Sequence, residues 1–447
     1  MTSDLHITPP TPTLREAFLY WLKLGFISFG GPAGQIAIMH TDLVEKKRWI
    51  SEQRFMHALN YCMVLPGPEA IQLAIYISWL MHGVWGGIMA GILFFLPAFI
   101  LLSTLAGVYL AWGDLPVVQG ILYGIKPAVV AIVLFAAWRI GSKALKNEIL
   151  WGIALLAFST MLLFNISFPW IVLVAALIGV WGGKYLPAKF QASSHQISSQ
   201  KTFGAAVIDD NTPTPHHAQF SPSKLALTLG VFIVIWVVAM GLIHKQATLS
   251  HMGYFFTKAA FLTIGGAYAV LPYVYQGAVD QYTWLTGTQM MTGLALGETT
   301  PGPLIMIVTW VGYLGGVTKG VFANSLAAGL AGATVTTFFT FLPSFMFILA
   351  GGPLVESTRN NLKFTAPLSA ITAAVVGVIL NLAVFFIWHT FWPQGTEAAP
   401  FAGQIEWFAV LLAGAAFIAL WKYQQNVMTV IGVSAALGVA YTLLQGA

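Results

Sequence analysis

Residues 64–70 read VLPGPEA and residues 299–305 read TTPGPLI. Each Pro-Gly-Pro lies inside a long apolar stretch that would otherwise continue as one helix. It cannot continue, because both prolines lack an N–H donor and the glycine weakens a helix further. Pro68 and Pro303 instead suit the first turn of a new helix. The flanks show that the two breaks are copies. An ungapped comparison of 23–68 with 258–303 gives 11 identities in 46 positions, where composition alone supplies roughly four. They include Lys23/Lys258, Gly30/Gly265, Gly31/Gly266, Trp49/Trp284 and the whole Pro-Gly-Pro. Further on, FLPAF at 95–99 matches FLPSF at 341–345, at an offset of 246 instead of 235.

Composition says what surrounds these breaks. Of 447 residues, 57% are hydrophobic and only 8% charged, against about 25% charged in an average soluble domain. Mean hydropathy is +0.78. An ordinary water-soluble globule, a disordered chain, a coiled coil and a collagen are all excluded. Thirteen apolar segments run 17–38, 57–80, 84–111, 117–138, 148–164, 167–186, 224–243, 252–275, 290–314, 321–349, 364–389, 404–421 and 427–444. Most are long enough for membrane helices of about 20 residues, whereas an outer-membrane barrel would show alternating segments of about 10. The 16 Trp fit many spans with interfacial aromatics.

The fold class that follows is an all-α polytopic membrane protein, built from two homologous, inverted repeats with broken helices. The first repeat occupies 1–187, a linking helix 224–251 and the second repeat 252–447. Between them, 188–223 is rich in Ser, Thr, Gln and Pro and reads as a flexible linker. His216 and His217 within it read as a solvated pair, since no third ligand stands near. Inversion follows from counting. The second repeat starts on the eighth segment, so if each segment crosses once the copies have opposite orientation. Lys and Arg outside the segments then stand eleven on the N-terminal side against six on the other, which places the N-terminus inside. Lys46, Lys47, Arg48 and Arg54 contradict that assignment, and one resolution is that 17–38 does not cross fully. Residues 1–16 lack a charged-then-apolar order and do not read as a cleaved signal peptide.

Inverted repeats with broken helices are the signature of secondary transporters, whose substrates sit at mid-membrane where helix N-termini and unwound backbone meet. A helix N-terminus there is suited to an anion. The candidate substrate-binding residues are therefore Gly30, Gly31, Pro32, Pro66, Gly67, Pro68, Gly265, Gly266, Pro301, Gly302 and Pro303, against the alternative that the breaks are packing kinks. Ionisable residues inside spans are expensive. Glu69 and Glu298 either carry a proton or order the broken loops. Lys126 either pairs an anion or neutralises a carboxylate. Lys23 and Lys258 either face substrate or snorkel to the interface. The single Cys62 excludes a disulfide within the chain and any cysteine metal site. There is no Walker-A pattern, no zinc-protease motif and no nucleophile elbow. The sequence therefore points to no enzyme, cofactor or metal, and no basic patch suggests nucleic acid.

As a set, Phe29-Gly30-Gly31-Pro32, Trp49, Leu65-Pro66-Gly67-Pro68-Glu69-Ala70, Gly265-Gly266 and Thr300-Pro301-Gly302-Pro303 resemble the bacterial chromate ion transporter family, in its long form with two homologous halves. The resemblance covers the chain outside its linker and N-terminal tail. It implies chromate efflux through the bacterial inner membrane, driven by membrane potential or a proton gradient, with sulfate as a look-alike. The lipid bilayer is then an obligatory partner, and homodimerisation stays open. Gly265-Gly266-Ala267 replaces the Gly-Gly-Pro of the first half, so the copies would contact substrate unequally.

Overall fold

The computed structural model describes residues 9–28, 31–164, 166–190, 203–264, 267–357, 365–395 and 401–445. The first repeat runs α1 (Leu14–Ile27), α2 (Gly31–Met39), α3 (Glu52–Val64), α4 (Glu69–Trp112), α5 (Pro116–Ala144), α6 (Glu148–Phe164) and α7 (Phe168–Tyr185). A single turn, α8 (Pro187–Phe190), and the linking helix α9 (Pro222–Ile243) follow. The second repeat runs α10 (Ala247–Leu262), α11 (Ala267–Tyr275), α12 (Gly287–Thr299), α13 (Ile307–Thr318), α14 (Ser325–Ser357), α15 (Thr365–Phe391), α16 (Trp407–Trp421) and α17 (Val427–Gln445). The correspondence extends to detail. π-helical turns follow α2 at His40–Lys46 and α11 at Gln276–Gln281. Ser51 caps α3 and Thr286 caps α12, each hydroxyl accepting the N–H three residues on.

The apolar segments at the start of each repeat do not cross. At 13 or 14 residues, α1, α3 and α12 are each about 20 Å long, short of a 30 Å hydrocarbon core. Their partners turn back beside them. Tyr20 packs on Trp49, 5.3 Å between ring centroids. At the equivalent place Phe255 packs on Trp284 at 5.6 Å, and Phe256 on the same ring at 6.0 Å. In α12 and α13, Trp310 Nε1 donates to Gln289 O at 3.0 Å, and Lys319 Nζ donates to Thr283 at 2.9 Å. Each repeat thus opens with two re-entrant hairpins. Ser28 and Thr263 follow the inbound helices of the first pair, and the Pro-Gly-Pro motifs sit at the tips of the second. Hydropathy cannot distinguish such a hairpin from one crossing helix, because both present about 25 apolar residues in a row.

A further reversal is hidden in α4. His82 (φ −127°) and Gly83 (φ 64°, ψ −158°) leave the helical region, and Ile75 packs against Gly91, sixteen residues later. A straight helix would hold those two about 24 Å apart. The stretch 69–81 is therefore the outbound arm of a hairpin, and 84–112 is the first true crossing. The second repeat makes the same turn with a loop between α13 and α14.

Two equivalent crossings meet at the centre of the molecule. Phe95 of α4 stacks on Phe341 of α14, with centroids 4.7 Å apart and planes 12° apart, while Gly91 lies against Phe345. Rising numbers on one helix meet falling numbers on the other, so the two run antiparallel. Phe95 and Phe341 are repeat equivalents, so the pseudo-twofold axis passes between them, perpendicular to the helices. For helices that cross a membrane such an axis lies in its plane, and the repeats are inverted. The halves also interlock: α5 packs on α16 and α17, while α15 packs on α6 and α7.

With the hairpins returning, residues 47–51, 82–83, 145–147 and 186–190 fall on one side, together with the described linker residues. Ser51 N–H donates to Ile208 O at 3.0 Å, His217 Nε2 meets Trp79 O at 2.8 Å, and Asn147 donates to Lys189 O at 2.6 Å. Lys46, Lys47, Arg48 and Arg54 therefore join the linker side. Among the described residues outside the spans, the basic tally becomes twelve against two, Lys245 and Lys319. The contradiction in the charge pattern came from counting hairpins as crossings. Among the described residues, seven helices are long and apolar enough to cross a membrane. Within α9 only Phe232 is buried; Leu227, Ile233, Val234 and Leu242 are 60% or more exposed, a surface suited to hydrocarbon. The protein is a multi-pass membrane protein.

Candidate functional site between the re-entrant tips

The four tips are tied across the pseudo-twofold axis by reciprocal hydrogen bonds. Gly67 N–H donates to Thr263 O at 2.6 Å, and Gly302 N–H donates to Ser28 O at 2.9 Å. Ser28 and Thr263 are repeat equivalents, as are Gly67 and Gly302, so the bonds exchange the halves. Both glycines need their conformation, with φ of +123° and +117°, which a side chain rarely adopts. Each also lies against the small residue of an FLPxF motif. A methyl on Gly302 would stand 2.8 Å from Ala98 Cβ, and one on Gly67 2.6 Å from Ser344 Oγ.

Side chains brace the tips. Gln35 Nε2 donates to Gly302 O at 2.7 Å, and Gln72 Nε2 donates to Pro66 O at 2.7 Å. A carbonyl only accepts, so each amide must turn its NH2 to the backbone and present Oε1 elsewhere. Gln35 Oε1, Gln72 Oε1, Ser28 Oγ, Ser344 Oγ and Glu69 Oε2 are buried and meet no hydrogen-bond partner among the described residues. Ser28, Gln35 and Gln72 are 0% exposed. Glu298 is held by Tyr268, whose hydroxyl donates to its carboxylate, and Arg139 of α5 acts electrostatically on both.

The expected residues fall into four groups. Pro66, Gly67, Pro68, Pro301, Gly302 and Pro303 are at the tips, with Glu69 in the first turn beyond and Glu298 at the end of α12. Gly31 and Pro32 open α2, while Gly30, Gly265 and Gly266 lie outside the described residues. Lys126 is elsewhere. It lines a cleft of about 580 Å³ on the side away from the linker, with Asp114, Gln119, Tyr123, Thr288 and Gln289. The structure does not bring Lys23 or Lys258 to the tips. Both are exposed, on a face shared with exposed Leu19 and Phe26 or with Tyr254 and Phe261, and Lys258 Nζ stands 4.5 Å over the Tyr254 ring. That is the outward face of each hairpin, where lysines snorkel.

Sequence reasoning followed formal charge and so passed over Ser28, Gln35, Gln72, Thr263 and Ser344. One signal was available: Ser344 against Ala98 is the only difference between the two FLPxF motifs.

The profile of the chromate transporter family matches residues 15–180 and 250–439, one span for each repeat. The chain belongs to the chromate transporter family. It is similar to the chromate transport protein of Pseudomonas aeruginosa, 31% identical over 424 residues, which cover 95% of this chain and 91% of that protein. It is also similar to the chromate transport protein of Cupriavidus metallidurans, 30% identical over 378 residues, 84% of this chain and 83% of that one. A probable chromate transport protein of Synechococcus elongatus is 27% identical over 386 residues, 86% of each chain. Membership makes this a transport protein and not an enzyme. No solved structure matches it.

Proposed function

We propose that the protein exports chromate across the bacterial inner membrane by alternating access, with the linker side facing the cytoplasm. The reading is carried by the reciprocal pairing of the Pro-Gly-Pro tips. Two hairpins entering from opposite sides converge on buried polar groups in an otherwise apolar interior, and buried polar atoms without partners are costly unless a ligand or water meets them. Hydroxyls and free N–H groups at helix starts suit an oxyanion. Glu69 opposes one, so either that carboxyl is protonated or a cation approaches the same volume. Lys126 is the cation of the far-side cleft and Arg139 the one that acts on Glu298; both are on α5, separated by thirteen positions, or about 20 Å of helix.

The cleft opens on the far side, while Arg54 and Glu356 on the linker side are buried, as expected of a carrier open outward. The charge tally of twelve against two supports a cytoplasmic linker side. Energetics support export. One charge moved through 100 mV is worth about 2.3 kcal/mol, so a dianion leaving a negative cytoplasm gains about 4.6 kcal/mol, over a thousandfold in gradient. Efflux then needs no obligatory proton. The test is uptake of radiolabelled chromate into everted membrane vesicles, with sulfate as competitor. Accumulation that collapses with the potential supports the reading; none above vesicles lacking the protein would overturn it.

A further inference from the structure

The two sides of the molecule differ where the repeats are equivalent. At offset 235 Gln289 corresponds to Arg54, and at offset 246 Tyr109 and Leu110 correspond to Val355 and Glu356. On the far side, Gln289, Tyr109 and Leu110 line the open cleft. On the linker side, the same positions are sealed. Arg54 is 6% exposed and Glu356 8%. Arg54 Nη2 stands 3.9 Å from Glu356 Oε2 and donates to Thr212 O of the linker at 2.6 Å. Glu356 also accepts from the Tyr76 hydroxyl, and from Thr214 Oγ1 at 3.3 Å.

Inverted-repeat carriers change state when each half takes the arrangement of the other. Applied to these equivalences, opening the linker side makes a cleft there whose lining includes Arg54. Resting on the exporter reading, we infer that Arg54 is the linker-side ligand of the oxyanion, held by Glu356 in the present state and handed to substrate when that side opens. Three features fit an exchange. The contact is loose: 3.9 Å is well beyond the 2.7–2.9 Å of a charge-assisted bond. Glu356 keeps Tyr76 and Thr214 when the guanidinium leaves. A carboxylate and a tetrahedral oxyanion present the same paired oxygens to a guanidinium fork, so Glu356 occupies the position substrate takes. On the far side the position of Glu356 is taken by Leu110, the lining carboxylate is Asp114, and there the cleft stands open. The linker segment 206–214 must peel back in the same step, because Thr212 O and Thr214 share the two charged groups.

The two roles for Arg54 predict opposite patterns in everted vesicles, where the linker side faces the medium. As a ligand, Arg54→Gln raises the half-saturating chromate concentration tenfold or more with a smaller change in maximal rate. Glu356→Gln lowers that concentration, and the double variant Arg54→Gln/Glu356→Gln remains as poor as Arg54→Gln. As a structural ion pair only, both single variants lose transport and the double variant regains it, which would overturn the assignment. Arg54→Lys keeps the charge without the fork and should fall between wild type and Arg54→Gln. A second measurement uses purified protein in detergent, where chromate raises the melting midpoint of Glu356→Gln more than that of wild type and leaves Arg54→Gln unmoved. Equal shifts in all three would sink the inference. Absent chromate flux in wild type would sink the exporter reading instead, and the melting shifts would still decide Arg54.

Discussion

Replacing Gly67 by alanine tests the tip geometry with one methyl. Its φ of +123° is costly for any L side chain, about 1–3 kcal/mol. The added carbon would stand 2.5 Å from Gln72 Nε2 and 2.6 Å from Ser344 Oγ. Something must move, and the flexible group is the Gln72 amide, whose bond to Pro66 O would be lost at about 1 kcal/mol. Together these come to about 2–4 kcal/mol set against the transport-competent tip, roughly thirtyfold to several hundredfold in flux at 1.4 kcal/mol per decade. Gly302→Ala carries the same backbone cost but meets only Ala98 Cβ at 2.8 Å, so it should fall at the lower end of that range. Leucine at either position should abolish transport. The assay is chromate uptake in everted vesicles, normalised to the amount of protein inserted in the membrane. Full flux from Gly67→Ala at normal insertion would show that the tip does not need this conformation, and the site between the hairpins would have to be abandoned.

Other outcomes are equally direct. Lys126→Ala should cut flux at least tenfold, whereas Lys422→Ala, on an exposed residue near Tyr423, should leave it within twofold; equal activity of the two removes Lys126 from the path. Glu69→Gln distinguishes proton carriage from loop ordering: a changed pH profile of flux supports the former, and an unchanged profile retires it. The native Cys62 is buried, so single introduced cysteines report sidedness in intact cells. Lys319→Cys should react with an impermeant thiol reagent and Lys46→Cys should not. Reaction at both, or at Lys46→Cys alone, would refute the re-entrant topology.

The sequence made the repeat and the breaks legible because proline and glycine act locally: no neighbour can restore an N–H to Pro66 or Pro301. Charge bias was also legible, and its one contradiction at Lys46–Arg54 marked the place where the crossing count was wrong. The fate of a broken helix is not written locally. Whether a chain continues across after Pro-Gly-Pro or turns back depends on what it packs against, here Trp284 beside Phe256 and Trp310 beside Gln289. The reversal at His82–Gly83 was hidden for the same reason. For the site, titratable residues were the wrong guide at Lys23 and Lys258, which face outward, and neutral Gln35 and Gln72 brace the tips. A lone glutamine in an apolar run is costly to bury unless its amide is hydrogen-bonded, and that signal could have been weighed.

The interlocking of α5 with α16 and α17, and of α15 with α6 and α7, has a consequence for synthesis. When the ribosome has released the first repeat, the faces of α5, α6 and α7 that will be covered are still bare, and their partners lie about 180 or more residues ahead. The first half must therefore wait in the membrane, its unpaired faces shielded by lipid or by an insertion factor, until the last three helices arrive. Truncation after α9 should accordingly leave a product degraded quickly by membrane proteases. The two halves made as separate chains should protect each other, since the main packing partners of α5, α6 and α7 lie in the second half.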